Sequence, residues 1–299
     1  MLPDADRHGT GAETLGGSVA RVRDLLAAAG IEDAAQEARF LLSLGVGIPT
    51  KEIIARPERV LTPGESETLE AVLRRRLARE PLSRILGERE FYGRMFKLSP
   101  ATLDPRPDSE TLIDAALRIA EREGWRERPV RILDIGTGTG CLLLTLLAEL
   151  PLATGLGTDI SVEALDTAAA NAAALKLTER VSFARHDALE GVSGSFDLVV
   201  SNPPYIAAAD IPHLDPEVRL YDPTAALDGG ADGLDIYRSV ISALPRILSG
   251  WAIFEVGMDQ ADTVAQLLQQ AFVKTRMSEV AAYRDLSGHT RCVAIGPQI

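Results

Sequence analysis

Val130-Arg-Ile-Leu-Asp-Ile-Gly-Thr-Gly-Thr-Gly140 runs directly into the apolar stretch 141–150. The order is strand, glycine-rich turn, helix. Gly136, Gly138 and Gly140 permit a tight turn and, with Thr137 and Thr139 between them, leave bare backbone for a ligand at a helix N-terminus. The spacing is G-x-G-x-G, unlike the dinucleotide and phosphate-loop fingerprints, and no lysine follows to meet a phosphate. Asp159 ends the next strand, a position that in doubly wound sheets faces the ribose hydroxyls of a nucleoside ligand.

Working outward, strands are expected near 130–134, 154–159, 181–186, 196–201 and 250–255. Helices fall between them at 111–122, 141–149, 161–176 and 235–248. Such alternation predicts an α/β fold with a doubly wound, mostly parallel sheet whose ligands sit outside the carboxyl ends of the strands. The glycine turn, Asp159, Asp187 and the tetrapeptide Asn202-Pro203-Pro204-Tyr205 all follow strand ends, so they gather on one edge. Two more strands are expected near 274–281 and 291–295, joined by a loop at Gly288.

The tetrapeptide carries chemistry. Two prolines end the strand at Ser201 because neither has an N–H for a ladder. Their carbonyls remain as acceptors beside an Asn amide and an aromatic ring. That set suits a planar group bearing –NH2: Asn202 Oδ1 and the Pro203 carbonyl accept its hydrogens while Tyr205 sets its plane. The plain alternative is a proline-rich exit from a strand.

At 299 residues the chain can bury a large core. Residues 1–100 hold 15 basic and 15 acidic side chains, leaving 16 basic and 28 acidic in residues 101–299, so the whole charge of −12 lies there. An acidic catalytic half repels a nucleic-acid backbone and argues against DNA. Cys141 and Cys292 read as reduced packing residues, and the four histidines share no metal-ligand spacing. With no signal peptide and no membrane span in view, a cytoplasmic protein is expected.

On these motifs the chain resembles the class I S-adenosylmethionine-dependent methyltransferases. Within them it is similar to the N5-glutamine methyltransferases of peptide chain release factors, the PrmC/HemK family. The resemblance extends from about residue 19 to 295 and includes Arg84-Ile-Leu-Gly-Glu-Arg-Glu-Phe-Tyr-Gly93, Leu103-Asp-Pro-Arg-Pro-Asp-Ser-Glu110 and Arg284-Asp-Leu-Ser-Gly-His-Thr-Arg291. It departs from the family at Asp104, where an apolar residue is usual, and at Ser109, where Thr is usual. The resemblance implies S-adenosyl-L-methionine as cofactor, held by Gly136, Thr137, Gly138, Thr139, Gly140, Asp159, Asp187, Ala188 and Asn202. It implies catalysis at residues 202–205 and class-1 release factors as protein substrate. Asp187 would meet the adenine or merely close an Asx-turn; Arg106 would seal the cofactor pocket or pair with Asp108. An adenine-N6 DNA or RNA methyltransferase shares the tetrapeptide and is the alternative. A non-enzymatic relative would show damage to the motifs, and both are intact.

The expected organisation is a disordered tail at 1–17, a helical substrate-docking domain at 18–87, a hairpin linker at 88–104 and the methyltransferase domain at 105–299. A monomer is the simplest state. Thr62-Pro-Gly-Glu65 has the pattern of a capped helix start, with the helix running to Glu80 before Pro81. Arg74, Arg75, Arg76 and Arg79 near its end read as a solvated face, or as a dock for an acidic patch or ribosomal RNA.

Overall fold

In a computed structural model the chain divides into two compact units, the first ending at Leu86 and the second beginning at Gly87. The structure describes residues 13–298 other than Lys274 and Arg276. Most of the expected tail, residues 1–12, therefore lies outside the described residues.

Among the described residues the first unit has five helices: α1 (Leu15–Ala28), α2 (Ala34–Val46), α3 (Thr50–Ala55), α4 (Pro63–Leu77) and α5 (Leu82–Leu86). Leu15, Val22 and Leu26 of α1 meet Leu41, Leu42, Leu69 and Leu73 in one core. Helix α1 starts within the expected tail because Thr14 caps it, its side chain accepting from Gly17 N. Gly16 is there for close packing: a Cβ would stand 3.2 Å from Pro57 Cβ and O. Thr62 and Glu65 form a complete capping box, but α4 ends at Leu77, short of Glu80. Arg79 adopts φ +70° and Glu80 N donates back to Arg75 O at 3.1 Å, turning the chain before Pro81.

The arginine cluster is only partly a solvated face: Arg74 and Arg75 are exposed. Buried Arg76 binds Glu37 on α2, Nε to Oε2 2.6 Å. Arg75 reaches Glu80 at 2.6 Å, and Arg79 Nη1 donates to the carbonyl of Ala29 at 3.1 Å, just beyond α1. Three of the four thus tie the helices together.

The second unit opens with a hairpin, β1 (Glu88–Phe91) and β2 (Arg94–Lys97). It turns at Tyr92 and Gly93, both with positive φ. Strand structure stops at Lys97, so the expected 88–104 hairpin is shorter. Then come α6 (Glu110–Arg122), β3 (Val130–Ile135), α7 (Cys141–Glu149), β4 (Ala153–Asp159), α8 (Val162–Ala174), β5 (Val181–Arg185) and β6 (Phe196–Ser201). The remainder is α9 (Pro216–Tyr221), α10 (Asp235–Ala243), β7 (Leu248–Glu255), α11 (Ala261–Ala271), β8 (Met277–Arg284) and β9 (Thr290–Pro297). Helix α10 stops earlier than expected because Pro245 lies in a 3-10 turn, Leu244–Arg246, just beyond it.

Among the described residues, the seven strands β3 to β9 form one sheet in the order β5-β4-β3-β6-β7-β9-β8. Strands β3 to β7 run parallel, and β9 is antiparallel to both β7 and β8. Separate apolar cores cover the two faces, one around Leu143, Leu146 and Trp251, the other around Tyr237, Phe254 and Leu268. The strand order reverses between β3 and β6, a topological switch point where such sheets open a crevice at the carboxyl ends. No helix among the described residues is long and apolar enough to cross a membrane.

Candidate active site

Beyond β3 the chain makes its glycine turn with φ +70°, +54° and +80° at Gly136, Gly138 and Gly140. The three glycines answer different demands. A Cβ on Gly136 or Gly138 would meet nothing within 4 Å, whereas on Gly140 it would lie 3.0 Å from Leu144 Cδ1 and 3.3 Å from Ala168 Cβ. The first two leave space open at a ligand cavity; the third lets α7 pack closely against α8.

The turn is held from below. Thr137 N donates to Thr158 O at 2.8 Å and Gly140 N to Thr137 O at 2.7 Å. Thr137 Oγ1 donates to Asp134 Oδ2 at 2.6 Å. Asp134 is fully buried; burial pushes its carboxyl up to about 7, against the pull of the Thr137 hydrogen bond. Burial likewise pushes the Cys141 thiol up to about 12, which keeps it protonated and a packing residue.

Asp159 Oδ2 accepts from Gly138 N at 2.9 Å and its Oδ1 from Ser161 N at 2.9 Å. Each oxygen spends one lone pair on backbone and keeps another for a ligand. Asp187 is exposed and closes its turn through its main-chain carbonyl, which accepts from Glu190 N at 2.9 Å. Ala188 follows with φ +48°.

These groups line a cavity of about 450 Å³. Gly136, Thr137, Gly138, Thr139, Asp159, Asp187, Ala188, Asn202, Pro203 and Pro204 all contribute to its wall. Two expected residues do not. Gly140 lies behind the turn, and Tyr205 packs against the second core, its ring edge 3.3 Å from where a Gly257 Cβ would stand.

Ser201 Oγ donates to Ile135 O at 2.8 Å, pinning the end of β6 to that of β3. Asn202 Nδ2 donates to Ser109 Oγ at 3.2 Å. With its NH2 so engaged, Asn202 turns Oδ1 the other way. Among the described residues no donor meets either Asn202 Oδ1 or the Pro203 carbonyl. Two residues along, Tyr205 is anchored by its carbonyl, which accepts from Gln260 Nε2 at 2.9 Å.

Four contributors escaped sequence reading. Ser109 and Asp134 lay inside recognised motifs without a role. Asp222, not Asp108, partners Arg106 at 2.6 Å, and its Oδ1 accepts from Asp104 N at 3.2 Å. Glu255 ends β7 in a buried apolar run; that lone charge was the available signal. Burial pushes its carboxyl up to about 7, partly offset by hydrogen bonding from Ser109.

Comparison with known proteins follows the same division of the chain. Residues 19–87 match the PrmC N-terminal domain family and residues 115–214 the methyltransferase small domain family. The release factor glutamine methyltransferase of Rhodospirillum rubrum is 47% identical over 90% of this chain and 80% of its own length. That of Bradyrhizobium diazoefficiens is 45% identical over 93% and 95%. Among solved structures, the hMettl16 catalytic domain in complex with a 3'UTR hairpin aligns with a TM-score of 0.52 at 16% identity, covering 68% of this chain and 74% of that one. That likeness is one of fold.

Proposed function

The chain belongs to the release factor glutamine methyltransferase family, and from that premise we propose that it methylates the side-chain amide nitrogen (N5) of a protein glutamine. The substrate is the glutamine of the Gly-Gly-Gln motif in class-1 peptide chain release factors. The observation that carries this reading is the pair of unspent acceptors, Asn202 Oδ1 and the Pro203 carbonyl, at the wall of a glycine-floored cavity. A primary amide brings two N–H groups to two acceptors.

The cavity fits S-adenosyl-L-methionine. Its volume of about 450 Å³ falls in the range of small-molecule sites, and its floor is bare at Gly136 and Gly138. Residues 136–139 and Asp159 would hold the ligand, with Asp187 and Ala188 beside them. When bound, that cofactor supplies a methyl group on a positively charged sulfur.

The protein's own task is to make an amide nitrogen nucleophilic. In a free amide the nitrogen lone pair is delocalised into the carbonyl. Asn202 Oδ1 and the Pro203 carbonyl hold the two hydrogens, favour a pyramidal nitrogen and offset the positive charge that develops on it. Orientation supplies the rest. Tyr205, outside the cavity wall, is assigned to the incoming side chain, whose plane it sets. The displaced proton passes to water. The helical unit is assigned to holding the release factor.

The nucleic-acid alternative would want a basic recognition surface, whereas residues 101–299 carry the full negative charge. The deciding experiment offers labelled S-adenosyl-L-methionine with a release factor, the same factor with its loop glutamine changed to alanine, and DNA. Label in the intact factor alone is expected; label in DNA, or equally in both factors, overturns the reading.

A further inference from the structure

Glu255 is the last residue of β7 and only 3% exposed. Ser201 pairs with Phe254 in the β6–β7 register, so one step further the parallel strands bring Glu255 level with Asn202. Ser109, equally buried at 3%, already takes an Asn202 amide hydrogen at 3.2 Å. The side chains of Ser109 and Asn202 both face the Glu255 carboxyl and favour its ionised form.

A carboxyl in this position is costly. Its Oε2 has no hydrogen-bond partner. Arg291, whose charge reaches Glu255, is already shared between Asp285 and Asp108, each at 2.7 Å. The strand neighbours Phe254 and Val256 are buried and apolar, so an apolar residue would pack here without that cost. The worth of the carboxyl lies in what it holds.

We propose that Glu255 is a positioning residue for the reaction described above, on which this inference rests. With Ser109 it claims the Asn202 amide hydrogens, and so keeps Asn202 Oδ1 turned toward the substrate nitrogen. An Asn amide has two orientations of nearly the same shape, and the flipped one would set NH2 against NH2. An ionised carboxylate only accepts, so it tolerates only the productive orientation. A protonated Glu255 carries a donor that can face Asn202 Oδ1 and permit the flip.

The proton on Glu255 therefore governs the orientation. Burial pushes this carboxyl up to about 7; Asp108 raises it further and Arg291 opposes. Cys141, Tyr205, Tyr237 and Cys292 also lie within its electrostatic reach, all neutral in this range. Above the neutral region the site is ordered for catalysis, and below it the order is lost.

The first test needs no turnover. The Asn202 side-chain amide pair, identified by its absence in Asn202→Ala, is followed by nitrogen-proton correlation spectra across pH 5–9. It should titrate near neutrality in the wild type and stop doing so in Glu255→Gln. A wild-type pair that does not titrate overturns the proposal, whether or not Glu255→Gln folds. The second test is kinetic. Glu255→Gln should lower kcat roughly 10- to 100-fold, leave the KM for S-adenosyl-L-methionine within about twofold and abolish the acidic limb of the pH profile. Ser109→Ala should lose activity that Ser109→Thr restores. A folded Glu255→Gln enzyme with unchanged kcat also overturns the proposal. An intact Asn202 titration in an enzyme that ignores release factor would instead sink the substrate reading and leave the positioning device standing.

Discussion

Arg291 Nη2 lies 2.7 Å from Asp108 Oδ2, joining the last strand to the turn that ends in Ser109. The same guanidinium's Nε reaches Asp285 Oδ2 at 2.7 Å and holds that carboxyl below the usual carboxylate range. Two motifs from opposite ends of the second unit are thereby closed over the tetrapeptide. A planar fork serves two carboxylates in fixed directions; an ammonium holds the same pair without that rigidity. Arg291→Lys is expected to keep the fold and lower kcat about tenfold, because the turn carrying Ser109 loosens. Steady-state kinetics beside a denaturation curve decide it, and an unchanged kcat would show that the turn needs no tether.

Asn202→Ala should separate binding from chemistry. Asn202 touches the cavity wall, but the glycine turn and Asp159 carry most of the contacts available to a nucleoside ligand. Calorimetric affinity for S-adenosyl-L-methionine should stay within a few fold, while kcat falls by roughly 10²–10³, the cost of losing one transition-state acceptor. Loss of cofactor binding in a folded variant would move Asn202 from catalysis to the cofactor site.

Strand positions and strand-end markers were legible because each is local. Residues 130–140 announce strand, turn and helix within one short window, and β3 to β6 fall within a residue or two of the expected limits. What stayed hidden depends on pairs distant in sequence. Nothing around Arg76 reveals Glu37 on another helix, so the arginine run read as surface. Gly16 and Gly17 read as tail because composition does not distinguish a flexible glycine from one pressed against Pro57. Ser109 sat inside a recognised block, yet its bond to Asn202 exists only once the turn folds over the sheet.

Stability should fall as the solution goes from acid to neutral. Asp134 and Glu255 are both pushed up to about 7 by burial. A carboxyl whose folded pKa is raised binds its proton more tightly when folded. Its contribution is present below the unfolded value near 4 and is lost as pH rises through about 7. Asp232 and Asp285, held low by Arg238 and Arg291, act the other way and cost stability only below their ordinary value of 3.8. Urea midpoints should therefore be highest near pH 4–5, decline as pH rises to about 7 and level off above it. Glu255→Gln should flatten that decline; a midpoint that rises steadily from pH 5 to 8 would contradict the assignment.

Replacing the turn glycines one at a time should separate ligand contact from packing. At Gly138 an added methyl meets open space, and only the positive φ of +54° opposes it, at a cost of about 1–2 kcal/mol. The methyl would stand beside the cavity floor, so Gly138→Ala should fold, lose modest stability and bind S-adenosyl-L-methionine much more weakly. At Gly140 the same strain, at φ +80°, is joined by contact with Leu144 and Ala168, behind the cavity wall. Gly140→Ala should therefore lose more stability, by roughly a further 1–3 kcal/mol for overpacking, and its affinity should fall less for each increment of stability lost. Thermal unfolding and calorimetric titration of both variants give the comparison. If Gly138→Ala binds normally, the floor of the cavity is not where the ligand lies against the backbone. If both variants lose affinity in proportion to stability, the glycines serve the fold alone.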